Sequence, residues 1–248
     1  TANAGRNEQN ETENVGFIIT STDQNFDTIN AHLNLITVDG ETNCDDLLGT
    51  AAVIDQGRKY TVENLDADGI YVLSCEVVDK AGNVTTKAVA KDAAGEKIET
   101  EEMMFSVNRN GSVYSLGDDT AKINGAYTNQ NIDVVIVETN VNKLTESKLT
   151  LYNDGSTSVL EEGVDYQVEH TGGENEWSQY TYKIAKSNFE QDGAYSIALY
   201  SVDEASNISE NTMESKKVEI NFAIDKTKPD VIVTNLNDST TYSEENKS

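Results

Sequence analysis

The sequence has few of the residues that build catalytic and metal-binding sites. Its 248 residues include only two histidines, two cysteines, one tryptophan and one proline. His32 and His170 fall in different halves of the chain, and neither has a serine or cysteine nucleophile recognisably placed beside it. Because scattered histidines make a poor metal site, we expect no catalysis and no transition-metal cofactor.

Basic residues are also scarce. The chain has 18 lysines and arginines against 44 aspartates and glutamates, a formal charge of −26. Such a surface repels phosphate backbones and anionic lipids, so nucleic acid and membrane surfaces are poor candidate partners. No apolar run approaches the roughly 18 residues of a transmembrane helix, so we expect no membrane insertion. The charge suits an extracellular protein with a solvated acidic surface, or one that takes up divalent cations.

One long stretch of the sequence occurs twice. DGIYVLSCEVVDKAGN at 68–83 returns as DGAYSIALYSVDEASN at 192–207. Further matches flank the two copies: VGFIITST at 15–22 with IDVVIVET at 132–139, MMFSVNR at 103–109 with INFAIDK at 220–226, and YTNQN at 127–131 with YSEEN at 242–246. Repeats of this length are whole domains in tandem.

The repeat predicts the domain boundaries. We expect a polar segment over 1–13, a first domain over 14–108 and a second over 109–225. Residues 226–248 should be the opening strand of a further domain, extended at 230–236 and without a core of its own. The first domain has no opening segment resembling 109–131, so the chain is expected to be a piece of a longer array.

Within each domain the pattern is that of β-strands. Apolar and polar residues alternate, glycine-containing turns separate the runs, and no stretch has sustained helical spacing. About seven short strands per domain indicate a two-sheet sandwich. After each Asp-Gly turn, Tyr71 and Tyr195 should bury their rings and return their hydroxyls to the backbone, as in a tyrosine corner.

The two cysteines are expected to be free. Cys75 lies in an alternating run with Tyr71 and Leu73, which predicts that it is on the buried face of a strand. Its counterpart in the second copy is Leu199. Cys44 lies in the polar stretch GETNCDDLL. Secretion would favour a disulfide, but the spacing favours buried thiols.

The repeated motifs resemble tandem bacterial immunoglobulin-like (Ig-like) domains of Gram-positive cell-surface proteins. The resemblance rests on Leu65 to Tyr71, Asp79 to Asn83 and Phe222 to Pro229. It implies tandem immunoglobulin-like antiparallel β-sandwiches on a bacterial cell wall or surface. Two features depart from it: the strand GFIIT has no cysteine for an antibody-type disulfide, and the first domain ends in FSVNRNGS.

Calcium is the only metal for which the sequence offers candidates. Carboxylates cluster at two places, the Asp-Gly turn and the predicted domain junctions. The candidates are Asp66, Asp68, Asp118, Asp119, Asp225 and Asp230. The alternative is that these are structural turns and solvated linkers. An isopeptide bond between Lys122 and Asn221 is a further hypothesis that no motif supports.

The two copies differ in one hairpin each, and these are the candidate partner-binding loops. Sandwich domains acquire distinct binding surfaces through loops on a shared scaffold. In the second domain the candidates are His170, Glu174, Asn175, Trp177 and Tyr180; in the first they are Lys91, Glu96 and Lys97. Trp177 could anchor a protein interface or a sugar.

The resemblance and these loops lead to three functional hypotheses. The first is a non-catalytic adhesin module that contacts a host protein or a glycan, with immunoglobulin admitted by analogy. The second is a spacer that displays a distant functional domain and contacts only neighbouring Ig-like domains. The third is a carbohydrate-binding appendage of a secreted glycosidase.

Overall fold

A computed structural model describes residues 15–91, 94–173, 175–234, 238 and 240. Its strands pair antiparallel except for one short parallel pair. The pairings fall into two groups, which we call unit one (residues 15–107) and unit two (residues 113–224). Residues 108–112 connect them and are called the linker.

Unit one has two sheets and a separate hairpin. Its strands are β1 (Phe17–Thr22), β2 (Phe26–Thr37), β3 (Gly40–Asn43), β4 (Ala52–Ile54), β5 (Gly57–Val62), β6 (Gly69–Asp79), β7 (Val84–Thr85), β8 (Ala88–Lys91), β9 (Lys97–Thr100) and β10 (Glu102–Val107), with a 3-10 turn at Asp45–Leu48. One sheet has the order β1-β5-β4 and the other β10-β6-β2-β3, with β7 added to β6. Strands β8 and β9 form the hairpin.

Unit two repeats this two-sheet plan with one strand added to each sheet, and its described residues also form ten strands. They are β11 (Val113–Leu116), β12 (Tyr127–Thr128), β13 (Val134–Asn140), β14 (Leu144–Asn153), β15 (Ser156–Val159), β16 (Tyr166–Thr171), β17 (Ser178–Ile184), β18 (Gly193–Asp203), β19 (Ile208–Glu210) and β20 (Ile220–Ile224), with helix α1 (Asp118–Ile123) and a 3-10 turn at Lys186–Phe189. The sheet orders are β11-β13-β17-β16 and β12-β20-β18-β14-β15, with β19 on β18.

Each unit has its own hydrophobic core, filled from both of its sheets. The buried side chains of unit one include Leu33, Leu35, Val62, Leu65, Tyr71, Phe105 and Val107. Those of unit two include Val134, Ile136, Leu149, Tyr182, Phe189, Ile197, Leu199 and Phe222. Alternating apolar side chains on paired strands produce these cores, so the all-β prediction is confirmed.

The tyrosine corner is present in both units. The rings of Tyr71 and Tyr195 are 1% and 3% exposed. Their hydroxyls donate to the carbonyl oxygens of Ala67, at 3.2 Å, and Gln191, at 2.9 Å. Gly69 begins β6 with a φ of 154°, and a Cβ there would lie 2.7 Å from the Ile36 carbonyl oxygen, so only glycine fits this turn.

Both thiols are free, as predicted, but they are half-buried rather than fully buried. Burial raises the pKa of Cys75. Cys44 packs against the core of unit one, and burial raises its pKa as well. Neither thiol is therefore activated as a nucleophile.

The segment after β20 leaves unit two. Residues 226–234 lie in no strand or helix, and Val231, Ile232 and Val233 are 87%, 84% and 64% exposed. The predicted match at 242–246 and the polar segment 1–13 lie outside the described residues.

Candidate functional site at the junction of the two units

The unit-two hairpin that was predicted to bind a partner joins β16 to β17. His170 and Tyr180 stack on each other with ring centroids 4.4 Å apart. The Tyr180 hydroxyl oxygen accepts the backbone N–H of Leu144 at 3.0 Å. Asn175 is exposed at the tip with a φ of 60°, and Glu174 lies outside the described residues. This hairpin is thus braced against its own unit at its base.

Trp177 reaches from this hairpin to the other unit. Its indole Nε1–H donates to the carbonyl oxygen of Ile36 in β2, at 3.0 Å, and the ring is half-buried. A cleft of 290 Å³ beside it is lined from both units, by Ile70, Ser106, Val141, Lys143 and Gly173 among others. The side chain that was predicted to anchor an external partner therefore already contacts unit one.

The linker places Asn108 inside the end of unit two. Its side chain is 1% exposed. The Nδ2 group donates to the Oδ1 atoms of Asn140, at 2.9 Å, and Asn142, at 2.8 Å, and to Oδ2 of Asp203, at 2.8 Å. Its Oδ1 accepts the backbone N–H of Gly111 at 3.1 Å. One linker side chain thus inserts into a socket of acceptors.

Asp203 is the centre of this socket. Its Oδ2 also accepts from Asn140 Nδ2, at 3.1 Å, and from Asn207 Nδ2, at 3.0 Å, and its Oδ1 accepts the Asn207 backbone N–H at 2.8 Å. Asn207 Nδ2 donates in turn to the Asn108 carbonyl oxygen at 3.0 Å. A carboxylate only 2% exposed is thereby surrounded by donors, as a buried charge requires.

The next linker residues bind the Asp-Gly corner of unit one. The Asp68 carboxylate accepts the backbone N–H groups of Arg109, at 2.8 Å, and Asn110, at 2.9 Å. The Arg109 guanidinium donates through Nη2 to the Leu65 carbonyl oxygen at 3.0 Å. Asp68, a calcium candidate from the sequence, therefore accepts hydrogen bonds from the linker.

The same arrangement recurs at the exit of unit two. The Asp192 carboxylate accepts the Lys226 backbone N–H at 3.0 Å and the Thr227 hydroxyl at 2.7 Å. These hydrogen bonds lower the pKa of Asp192, and the bond from Thr227 has the largest effect. The aspartate of each Asp-Gly corner thus holds the chain that leaves its own unit.

A further contact crosses the linker from unit two. Lys216 Nζ donates to the Asn110 carbonyl oxygen at 2.6 Å. Burial lowers the pKa of this lysine. The linker is therefore held on both sides, by Asp68 of unit one and Lys216 of unit two.

A buried carboxylate lies near this end of unit two. Glu138 is fully buried on β13 and accepts the Tyr182 hydroxyl at 3.2 Å and the Ser201 hydroxyl from the facing sheet. Burial raises the pKa of Glu138, and it also raises the pKa values of Tyr182 and Tyr114. This polar cluster crosslinks the two sheets.

The remaining calcium candidates are exposed: Asp118 and Asp119 begin helix α1, and Asp66, Asp225 and Asp230 lie outside strands and helices. Asp119 pairs with Lys122 at 2.7 Å, so that Lys122, the isopeptide candidate, is an exposed ion-pair partner. Asp225 Oδ1 accepts the Thr227 backbone N–H at 3.0 Å. Among the described residues no group of three or more His, Cys, Asp or Glu side chains could hold a metal ion. Calcium binding stays an untested prediction.

A second concave surface lies on unit one, and we call it the unit-one groove. It has a volume of 960 Å³ and is lined by Asn30, His32, Glu76, Lys87, Glu99, Glu102 and Met104 among others. His32 Nδ1 lies 3.0 Å from Asp45 Oδ2. Strand β9 of the hairpin forms one wall, with Lys91, Glu96 and Lys97 exposed near its turn.

The socket residues were not among those predicted from the sequence. Asp203 and Asn207 stand in the repeated DEASN segment, which was interpreted only as a turn. The missed clue was Asn108 itself, because the first copy reads FSVNRN where the second reads FAIDKT. An amide in place of a carboxylate at a domain exit indicates a contact that differs between the two junctions.

No protein-family model matches the chain, and a search of curated proteins found no match. In the part of the chain that the structure describes, no helix combines the length and apolar character needed to cross a membrane.

Proposed function

We propose that this chain is a non-catalytic segment of a bacterial surface protein in which Ig-like modules are joined end to end as a stiff spacer. The observation that carries the proposal is the insertion of Asn108 into the socket around Asp203. A flexible tether needs no such contact, since a solvated linker leaves its neighbours free to reorient.

Three further contacts support a fixed angle between the units. They join the two units, or the linker and one unit, at separate places, so reorienting the units would break hydrogen bonds beyond those of Asn108. They are the Trp177 bond to Ile36, the Asp68 bonds to the linker and the Lys216 bond to Asn110. The recurrence at Asp192 supports the same design for the next junction.

The carbohydrate-binding hypothesis loses support. It depends on Trp177 as an aromatic platform, and the indole N–H of Trp177 is bonded to unit one. The spacer proposal needs no exposed aromatic side chain.

A distance measurement tests the proposal. Spin labels are attached through Thr61→Cys in unit one and Thr157→Cys in unit two, both exposed positions, in a Cys44→Ser, Cys75→Ala background. We expect one narrow distance distribution, which broadens in the double variant Asn108→Ala, Trp177→Phe. Asn83→Ala, at the exposed counterpart of Asn207, is the matched control and should leave the distribution narrow. A broad distribution in the parent chain would contradict the spacer.

The unit-one groove supports a second candidate function, contact with a host protein. Its four carboxylates outnumber its one lysine, Lys87, so it suits a positively charged protein surface; they are those of Glu76, Glu99, Glu101 and Glu102. The β8–β9 hairpin forms one wall of this groove, and no pair of strands corresponds to it among the described residues of unit two.

A screen of the full chain against immunoglobulin, mucin and glycan arrays tests this candidate. Binding should weaken in Glu76→Gln and Glu99→Gln and at high salt. Lys148→Ala lies on strand β14, the counterpart in unit two of β2, and should leave binding unchanged. Binding that is unchanged in both Glu76→Gln and Glu99→Gln would place the contact elsewhere.

A further inference from the structure

Unit one presents two open sheet edges where unit two has strands. In unit two, β11 pairs with the outer edge of β13 and β12 pairs with β20. The corresponding strands of unit one, β1 and β10, each pair on one side only among residues 15–91 and 94–107. An unpaired edge exposes a row of backbone donors and acceptors that another strand can use.

The end of unit one also carries a copy of the Asn108 socket, which no linker side chain enters within the described part of the chain. Asn83 donates to Asp79 through its backbone N–H, at 2.8 Å, and through Nδ2, at 2.7 Å, as Asn207 does to Asp203. The Asn25 backbone N–H donates to Asp23 Oδ1 at 2.7 Å, as that of Asn142 does to Asn140 at 2.8 Å. We call Asp23, Asn25, Asp79 and Asn83 the unit-one apex.

The unit-one apex and the socket of unit two differ in how exposed their side chains are. Asp23, Asn25 and Asn83 are exposed and Asp79 is partly exposed, whereas all of their unit-two counterparts are buried. The local hydrogen bonds form in both, so the apex is preformed before anything covers it.

We propose that this end of unit one is a docking site for the exit segment of another Ig-like module, whose asparagine enters the unit-one apex and whose next strand pairs with β1. The proposal rests on the spacer function and identifies the partner of a second junction. The occupant is inferred from unit two, where residues 108–116 make this same contact.

The apex also discriminates among exit residues. It has two carboxylates, Asp23 and Asp79, where the socket of unit two has one carboxylate and the amide of Asn140. An entering amide donates to such a site, whereas an entering carboxylate is repelled by it. This chain's own exit places Asp225 at the position of Asn108, so a second copy with its natural exit residue is a poor occupant.

The strand that follows the entering residue completes the core. In unit two, β11 contributes Tyr114, which is 6% exposed, and Leu116. Val231 and Val233 occupy the matching positions after Asp225 and are exposed. A strand of this pattern would cover the edge of β1 and bury its own apolar side chains.

A tandem fusion tests the proposal. Ser248 of the full chain is joined to Val15 of a second copy. Residues 226–248 have the same length as residues 109–131, so residue 225 of the first copy falls where Asn108 falls relative to unit two. The first copy carries either Asp225 or Asp225→Asn, and amide hydrogen exchange is followed over 15–22 of the second copy.

With Asp225→Asn, exchange over 15–22 should be at least tenfold slower than with Asp225. Adding Asp23→Ala and Asp79→Ala to the second copy should remove that difference. Exchange that is independent of residue 225 would overturn the proposal. It would also be overturned if β1 of the unfused chain were already as well protected from amide exchange as β13. The Thr61–Thr157 distance within each copy, measured on the same fusion, reports the spacer function separately.

Discussion

Asp79 in unit one and Asp203 in unit two accept the same hydrogen bonds from their own loops, yet only Asp203 is buried. Each holds the backbone and side chain of an asparagine four residues later. The difference is the linker, which covers Asp203 with Asn108. A short sequence therefore specifies the turn. The neighbouring module determines how much stability is lost when the aspartate of the turn is removed.

The largest expected difference between the units comes from removing these two carboxylates. Asp203→Ala removes the acceptor of three buried N–H groups, those of the Asn140 and Asn207 side chains and of the Asn207 backbone. An unsatisfied buried donor costs about 1–3 kcal/mol, so we expect unit two to lose about 3 kcal/mol or more. Urea unfolding followed by a probe in each unit measures this.

Asp79→Ala is the matched control at the partly exposed copy. Water replaces the lost acceptor there, so the loss in unit one should be far smaller. Equal losses in the two units would show that the turn, and not its burial, determines the stability.

The architecture could be predicted because local patterns determine it. Tyr71 and Tyr195 follow identical Asp-Gly turns, and alternating apolar residues on the strands pack the cores. The strands and the tyrosine corners could therefore be predicted from the sequence alone.

The junction could not be predicted in the same way. Asn108 and Asp203 are distant in sequence, and either would be an ordinary exposed polar residue in a single domain. The contact of Trp177 with unit one could not be predicted for the same reason, since its partner is a backbone carbonyl oxygen of the other unit.

The stabilities of the two units should depend differently on pH because of Glu138. Burial raises its pKa above the ordinary value of 4.5, so the folded chain holds this proton more tightly than the unfolded chain does. Its contribution to stability is complete below the unfolded pKa and is lost as pH rises through the folded pKa, at about 1.4 kcal/mol per pH unit between the two. Unit one has Ser21 at this position.

Glu138→Gln keeps the shape and removes the titration. The free energy of unfolding of the variant, relative to that of the parent, should therefore rise as the pH is raised above the ordinary glutamate pKa of 4.5. Unfolding of unit one, measured in the same samples, should show no such divergence. A difference between parent and variant that stays constant with pH would mean that Glu138 titrates normally.

The smallest expected difference is at the tyrosine corners, where the two units should behave alike. Tyr71→Phe and Tyr195→Phe each remove one hydroxyl that donates to a carbonyl oxygen four residues earlier and leave the ring in place. Each should cost about 1 kcal/mol in its own unit, measured by urea unfolding. Tyr127→Phe, at an exposed ring, is the control and should cost nothing measurable. Because both corners are closed by local bonds, a much larger loss at Tyr195 than at Tyr71 would mean that the corner, like the socket, draws its stability from the neighbouring module.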